Sequence, residues 1–152
     1  MQRLTGEYEC KVDAKGRLRL PSSLVRQISS DNLTFTVNRG FEKNLILYPR
    51  EVWMQKAAEI DSRLNMYNSK QRQFLRYFYR GATEVKLDSS DRILLPKTLV
   101  KYAGIQKSVM LFAMQQQIEI WSIDEYEKMI SEEPMDFAEI ADDIFGNTVN
   151  DD

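Results

Sequence analysis

The feature that most constrains this chain of 152 residues is an internal repeat. The segment GEYECKVDAKGRLRLPSSL at 6–24 aligns without a gap on GATEVKLDSSDRILLPKTL at 81–99. Each repeated unit spans about 45 to 50 residues, which is too few to bury a good hydrophobic core alone. We therefore predict that the two copies interleave to complete one shared core, rather than fold as two separate domains.

Each copy is predicted to run strand, turn, strand, helix and two further strands. In the first copy Tyr8, Cys10 and Val12 alternate with polar residues, which is the period of a half-buried strand. Pro21 and Pro96 suit the first turn of a helix, so SSLVRQIS and KTLVKYAG are interpreted as short helices. The segments LTFTVN with NLILYP, and SVMLFAM with QIEIWS, are predicted to form paired strands.

The chain contains one cysteine and no histidine. This composition excludes disulfides within the chain, His/Cys zinc sites and catalysis by a histidine base. Cys10 aligns with Val85, so we interpret it as a small buried hydrophobic residue rather than a reactive thiol. The sequence holds no phosphate-cradling glycine loop and no metal-ligand cluster, and we expect neither a cofactor nor an enzymatic activity.

The segment between the two copies has the pattern of two helices. Apolar residues at helical spacing predict one helix beginning near Arg50, and Ser69 is the predicted N-cap of a second. The second helix carries more aromatic residues than one buried stripe needs. Two interpretations stay open: a well-buried linker helix, or a contact with another subunit through Phe74, Tyr77 and Phe78.

The repeated turn has the form D-x-x-x-R, at 13–17 in the first copy and 88–92 in the second. We call these segments the first turn and the second turn. On a structural interpretation, Asp13 and Asp88 accept hydrogen bonds from the backbone ahead, as Asx turns do, and pair with Arg17 and Arg92. Gly16 suits a positive φ, and its counterpart in the second copy is an aspartate, which also tolerates that conformation.

On a functional interpretation, the first turn binds DNA. Its neighbourhood is basic, with Lys11, Lys15, Arg17 and Arg19. A two-stranded ribbon can enter the major groove, where arginine pairs with guanine and lysine contacts phosphates. The two interpretations are compatible, because a turn that is rigid for structural reasons holds an arginine side chain in a fixed position.

The charge is unevenly distributed along the chain. Residues 131–152 hold eight acidic residues and no lysine or arginine, so residues 1–130 hold 21 basic and 15 acidic residues, a net charge of +6. A basic body with an acidic tail is one layout of nucleic-acid-binding proteins, and a solvated surface with an acidic end is the alternative. The tail also has apolar residues between its acids, so three interpretations stay open: a C-terminal helix that caps the body, a segment that docks on a partner, or a segment that folds back near the basic face and competes with DNA.

The paired D-x-x-x-R turns, followed by LRLP in the first copy and ILLP in the second, resemble the MraZ family of bacterial transcriptional regulators over roughly residues 1–130. The resemblance implies a mainly β fold with short helices (α+β). In it two SpoVT-AbrB-like copies form an intramolecular swapped-hairpin double-ψ β-barrel, joined by a helical segment. It also implies a homo-oligomeric ring of about eight or twelve subunits that binds short direct repeats upstream of the division and cell wall gene cluster.

The family's DNA-contacting turn carries over residue by residue onto Asp13, Lys15, Gly16 and Arg17. Lys11 and Arg19 extend the candidate DNA-binding set on either side of it. In the second copy only Asp88 and Arg92 match, with Lys86 nearby, while Asp91 and Ser90 replace the glycine and the lysine. We therefore expect the first turn to face DNA, with the second turn as a weaker or purely structural counterpart.

The resemblance divides the chain into copy 1 at 1–49, a helical linker at 50–80, copy 2 at 81–130 and an acidic tail at 131–152. The expected location is the cytoplasm, since the sequence has neither a membrane-length apolar run nor a signal peptide. The resemblance implies double-stranded DNA as the partner and association with the nucleoid. The alternative function is a protein-interaction or antitoxin-type scaffold of the same fold that uses the acidic tail.

Overall fold

The computed structural model describes residues 3–28, 33–132 and 136–146. The first copy follows the predicted order of elements. Its strands and helix are β1 (Gly6–Lys11), β2 (Arg17–Arg19), α1 (Ser22–Val25), β3 (Thr34–Arg39) and β4 (Leu45–Pro49).

Two helices connect this copy to the second, α2 (Arg50–Arg63) and α3 (Ser69–Tyr79). The second copy repeats the order of the first and is followed by two further helices. Its elements, with those helices, are β5 (Thr83–Lys86), β6 (Arg92–Leu94), α4 (Lys97–Tyr102), β7 (Ser108–Met114), β8 (Gln117–Ser122), α5 (Ile123–Ser131) and α6 (Phe137–Gly146).

The two copies exchange their first hairpins. The main sheet has the order β1-β7-β8-β4-β3-β5, all antiparallel, so β1 of the first copy pairs with β7 of the second and β5 of the second pairs with β3 of the first. The short strands β2 and β6 pair with each other in a separate ribbon, with Leu18 opposite Ile93. This order reads the same from either end when the copies are interchanged, which is a pseudo-twofold arrangement.

The ribbon lies between the two edges of the main sheet. The edge strands β1 and β5 are each joined by a turn to one strand of the ribbon, and a bridge between Val12 and Leu18 ties β1 to β2. The predicted fold class is confirmed: the chain is mainly β with short helices, and its two copies interleave through swapped hairpins. The double-ψ barrel stays a prediction, because the pairing within the main sheet alone is open.

The hydrophobic core is shared by both copies, as the size of each repeat requires. Its largest fully buried side chains come in matched sets from the two halves: Leu18, Leu20, Leu24, Phe35, Leu45 and Leu47 from the first, and Ile93, Leu95, Leu99, Leu111, Ile118 and Ile120 from the second.

The helical connection agrees with the sequence except at one cap. Helix α2 begins at Arg50, as predicted, and its apolar stripe is half-buried rather than buried. The predicted N-cap Ser69 is wrong: Asn68 caps α3, and its side chain accepts hydrogen bonds from the backbone N–H groups of Lys70 and Gln71. Asparagine ranks with serine among the best N-caps, and the helical pattern alone does not separate neighbouring polar residues.

We expect Leu18→Ala to lower the free energy of unfolding by about 2 to 5 kcal/mol, because it leaves a cavity in the shared core. Leu94→Ala is the matched control on the paired strand. Leu94 is 58% exposed whereas Leu18 is fully buried, so the control should change the free energy of unfolding by less than about 0.5 kcal/mol. Urea denaturation measures both, and equal losses would contradict the inward orientation of Leu18.

Candidate nucleic-acid interface

Asp13 organises the first turn. Its Oδ1 accepts hydrogen bonds from the backbone N–H groups of Lys15 and Arg17, both at 2.9 Å, and its Oδ2 accepts from Nε of Arg17 at 2.7 Å. The backbone N–H of Gly16 donates to the carbonyl of Asp13 at 3.0 Å. One carboxylate therefore fixes both the path of the turn and the base of the arginine side chain.

The second turn has the same geometry. Oδ1 of Asp88 accepts from the backbone N–H groups of Ser90 and Arg92, at 2.8 and 2.9 Å, and its Oδ2 accepts from Nε of Arg92 at 2.9 Å. The structural interpretation of the repeated motif is therefore confirmed in both copies. The same carboxylate brace forms in the first turn and in the second turn, although the charges around the two turns differ.

Each turn passes through a positive φ at its fourth residue, as the sequence indicated. Gly16 has φ +88° and Asp91 has φ +60°. At Gly16 a Cβ would lie 3.1 Å from the carbonyl oxygen of Leu95, so the glycine also provides room for the other copy. The backbone N–H groups of Leu95 and Leu20 donate to the carbonyls of Gly16 and Asp91 respectively, which docks each turn against the opposite hairpin.

The ribbon carries an arginine-rich outer face. Leu18 and Ile93 point into the core, so the residues on either side of them point outward. In the ribbon Arg19 lies directly opposite Arg92, and Arg17 lies opposite the exposed Leu94. The three arginines thus share one surface about 7 Å long, given a rise of about 3.4 Å per residue.

The antiparallel register corrects the predicted grouping of basic residues. Because Arg19 lies opposite Arg92, it belongs to the end of the ribbon next to the second turn, not the first. Lys11 lies with it, in a cleft that also contains Ser90 and Asp91. The copies are antiparallel across the ribbon, so residues that follow the first turn in sequence approach the second turn in space.

The first turn has a different set of neighbours, supplied by the second copy. Lys15 lines a cleft with Lys86 and Lys97, so the lysine predicted near the second turn lies beside the first. Lys97 was not among the sequence-predicted site residues. Its position beside the first turn follows from hairpin exchange, which brings the start of α4 to that turn. The sequence does not show this, because the pairing register comes only from the structure.

Hydrogen bonding lowers the pKa of both turn carboxylates. The backbone N–H of Arg17 is the largest cause of the lowered pKa of Asp13, with further contributions from the Arg17 side chain and the N–H of Lys15. The backbone N–H of Arg92 lowers the pKa of Asp88 in the same way. Both aspartates are therefore ionised at neutral pH, and each brace is an ion pair as well as a set of hydrogen bonds.

Cys10 is half-buried against the core, on the strand that precedes the first turn. Burial raises the pKa of its thiol, so the reactive thiolate is disfavoured. This environment agrees with its interpretation as a small hydrophobic residue.

The candidate oligomer residues on α3 differ in exposure. Phe78 is only 7% exposed and its ring packs near those of Trp53 and Phe74, with centroids 6.0 and 5.8 Å away. Its ring therefore lies inside the chain's own aromatic cluster. Phe74 and Tyr77 are 41% and 62% exposed, and Arg39 lies 4.6 Å from the centroid of the Tyr77 ring.

The acidic tail contains a helix, α6, with no buried residue. Its apolar residues Phe137, Ile140 and Ile144 are exposed at helical spacing, so α6 does not bury an apolar face as a capping helix would. No helix in the described part of the chain is long and apolar enough to span a membrane. The described residues also contain no group of three or more side chains suited to hold a metal ion.

These features define a two-copy β protein whose exchanged hairpins present two carboxylate-braced arginine turns. A family model described as "MraZ protein, putative antitoxin-like" matches residues 4–77 and again 78–148. The chain therefore belongs to the MraZ family.

Curated relatives are similar over nearly the full length of the chain. The transcriptional regulator MraZ of Christiangramia forsetii is 40% identical over 97% of this chain and 96% of its own. Those of Flavobacterium psychrophilum and Bacteroides fragilis are 39% and 34% identical, over 100% and 95% of this chain and 97% and 92% of their own lengths. These relatives are named as regulators of transcription, which is a non-enzymatic role.

The lowered pKa values predict a specific dependence of stability on pH. A carboxyl whose folded pKa lies below its ordinary value of 3.8 stabilises the fold above about pH 4 and loses that effect as the pH falls through the folded pKa. We expect Asp13→Asn/Asp88→Asn to lower the melting temperature at neutral pH and to flatten its decline between about pH 5 and pH 2.

Asp142→Asn/Asp143→Asn, on the exposed helix α6, is the control that removes the same number of carboxylates. Melting curves followed by circular dichroism across the pH series compare the variants. A decline as steep in the turn variant as in the unmodified protein would show that the two braces do not contribute.

Proposed function

We propose that this protein is a sequence-specific DNA-binding regulator of transcription that contacts DNA through the basic first turn. The observation that carries the proposal is the brace between Asp13 and Arg17, which mounts an arginine on the outer face of a short ribbon. The regulatory names of its relatives support the same conclusion.

The chemistry of the turn suits recognition of a base edge. Asp13 engages Nε of Arg17, and the two terminal nitrogens of the guanidinium are the groups that donate to O6 and N7 of guanine. Because the brace fixes the start of the side chain, less conformational entropy is lost when the arginine binds. Gly16 allows close approach of the backbone, and Lys15 adds a cation for phosphates.

The outer face of the ribbon can extend this contact. Arg19 and Lys11 lie toward the second turn, where Asp88 braces Arg92. Lys86 does not line the cleft at that end of the ribbon. Asp91 places a negative charge within that turn, and repulsion between this charge and the phosphates weakens the approach of the second turn to DNA. We therefore assign base reading to Arg17 and a weaker supporting contact to the second turn.

Multivalency would raise the affinity of such a small site. We propose a homo-oligomeric ring of about eight or twelve subunits, as the resemblance implies, whose first turns engage short direct repeats together. The proposed targets are promoters of the division and cell wall gene cluster, and the proposed location is the nucleoid. Each added contact on one DNA molecule gains from effective concentration rather than from new chemistry.

The proposed subunit contact uses the exposed aromatic residues of α3. Phe74 and Tyr77 supply exposed ring surface, while the buried Phe78 supports Phe74 from below. Phe41, which is 82% exposed, lies next to them, with its ring centroid 6.1 Å from that of Phe78. Exposed aromatic clusters of this kind are typical of protein interfaces.

A protein-interaction function is the second candidate, and the exposed apolar face of α6 favours it. Acidic residues flank that face, so the tail could bind a partner of basic and apolar character. Deleting residues 131–152 separates the two functions. If DNA affinity is unchanged, the tail does not compete for the basic face and is available for a protein partner.

We expect Arg17→Ala to lose about 1 to 3 kcal/mol of preference for DNA from upstream of the protein's own gene over a shuffled duplex. Arg92→Ala is the matched control, since its side chain has the same brace and a similar exposure, 32% against 35% for Arg17. Fluorescence anisotropy across a salt series measures both. Equal losses would mean that the two turns read DNA alike.

We expect Phe74→Asp to reduce the assembly size measured by light scattering, because a charge would be buried in the proposed subunit contact. Phe137→Asp on α6 is the control, since Phe137 is exposed but lies outside that contact. An assembly of unchanged size for Phe74→Asp would exclude α3 from the interface.

A further inference from the structure

The ribbon is flanked by two clefts that have the same construction and different charges. The first cleft is lined by Lys15, Glu84, Lys86, Leu94, Pro96 and Lys97. The second cleft is lined by Lys11, Arg19, Pro21, Ser22, Ser90 and Asp91. An offset of 75 residues relates five positions of the two sets, and hairpin exchange makes each cleft from both copies.

The first cleft combines cations from three separate elements. Lys15 comes from the first turn, Lys86 from the end of β5 and Lys97 from the start of α4. Its volume is about 390 Å³, more than ten times the ~30 Å³ that one water molecule occupies in the liquid, so a hydrated phosphate group fits. With Glu84 as its one lining acid, the cleft has a net charge of +2.

The second cleft lacks two of these cations. Ser90 and Ser22 stand where the first cleft has Lys15 and Lys97, and only Lys11 keeps the charge of its counterpart Lys86. Asp91 adds a negative charge to the second cleft, and the net charge is +1 with Lys11 and Arg19 included. The two clefts therefore share a backbone frame, and the charges that would hold an anion are concentrated in one of them.

We propose that the first cleft is a composite phosphate site, in which Lys15 of the first copy and Lys86 and Lys97 of the second copy hold one phosphate of the DNA backbone. This inference rests on the proposed DNA-binding function and deepens it. It gives the second copy a direct part in binding, through lysines that lie outside its own arginine turn.

The position of the cleft fits this role. Leu94 lines the cleft and is the direct partner of Arg17 in the ribbon, so the cleft adjoins the arginine that we assign to base reading. Lysine is a compact cation with three donors, and it binds phosphate as a point charge without a fixed angle. Three lysines that line one cleft from different elements can therefore share one phosphate and set the register of Arg17 on its base.

The decisive experiment moves one lysine from the first cleft to the second without altering the net charge. The variants are Lys97→Ser, and Lys97→Ser together with Ser22→Lys. Lys101→Ser, on the same helix but outside the cleft lining, is the matched control. Fluorescence anisotropy gives the affinity of each for the upstream duplex and a shuffled duplex across a salt series.

For Lys97→Ser we expect the slope of log K against log salt concentration to become shallower by less than about 0.9, the change for a whole phosphate contact, because Lys15 and Lys86 still hold the shared phosphate. The loss should be similar on both duplexes, because phosphates carry no sequence information. The charge-preserving swap should stay as weak as the single variant, and Lys101→Ser should keep the slope of the unmodified protein.

A swap that restores the slope would show that only total charge matters, and would overturn the composite site. A slope for Lys97→Ser equal to that for Lys101→Ser would do the same. If the unmodified protein prefers the upstream duplex and only the cleft result fails, the proposed function stands without the cleft. If it binds neither duplex at low salt, both proposals are overturned.

A double-mutant cycle tests whether the lysines share one phosphate. Lys15→Ser and Lys97→Ser should be non-additive in affinity if both contact the same group, and additive if they act on separate phosphates. Additive losses would contradict a shared site. Lys97→Gln is the second variant if Lys97→Ser lowers the melting temperature, since glutamine keeps more of the aliphatic side chain.

Discussion

The structure depends on the exchange of hairpins between two copies that are each too small to fold alone. Pairing of β1 with β7 and of β5 with β3 places each hairpin on the other copy's sheet, and the buried leucines and isoleucines of both halves then form one core. The ribbon of β2 and β6 exists only because of this exchange. The outer face of the ribbon and the clefts beside it are therefore products of contacts between the copies, whereas each carboxylate brace lies within one turn.

Within that frame, the aspartate of each turn has a structural role that also fixes the base of the arginine side chain. A carboxylate that accepts two backbone N–H groups and the arginine Nε is satisfied on both oxygens. The brace forms in both copies because both need a well-formed turn. The surfaces around the two turns differ in positive charge. Asp88 and Arg92 therefore form the same brace as Asp13 and Arg17, although Ser90 stands where the first turn has Lys15.

Much of the fold followed from the sequence, because the repeat and strand periodicity are local signals. The braced turns, the helix beginning at Arg50 and the shared core could all be predicted from the pattern. The grouping of charges could not, since it depends on the register that puts Arg19 opposite Arg92 and Lys97 beside Lys15. The burial of Phe78 was likewise beyond the pattern, because it depends on a ring stacked from another helix.

The covalent joining of the two copies has a geometric consequence. In a dimer of identical single-copy chains, any substitution appears on both sides of the ribbon, and the surface stays symmetric. Here the halves differ in sequence, so a lysine can occupy one side and a serine the other. A symmetric surface would lie on a duplex equally well in either of two orientations. An asymmetric one distinguishes them, so under the proposed function each subunit has a direction along the double helix.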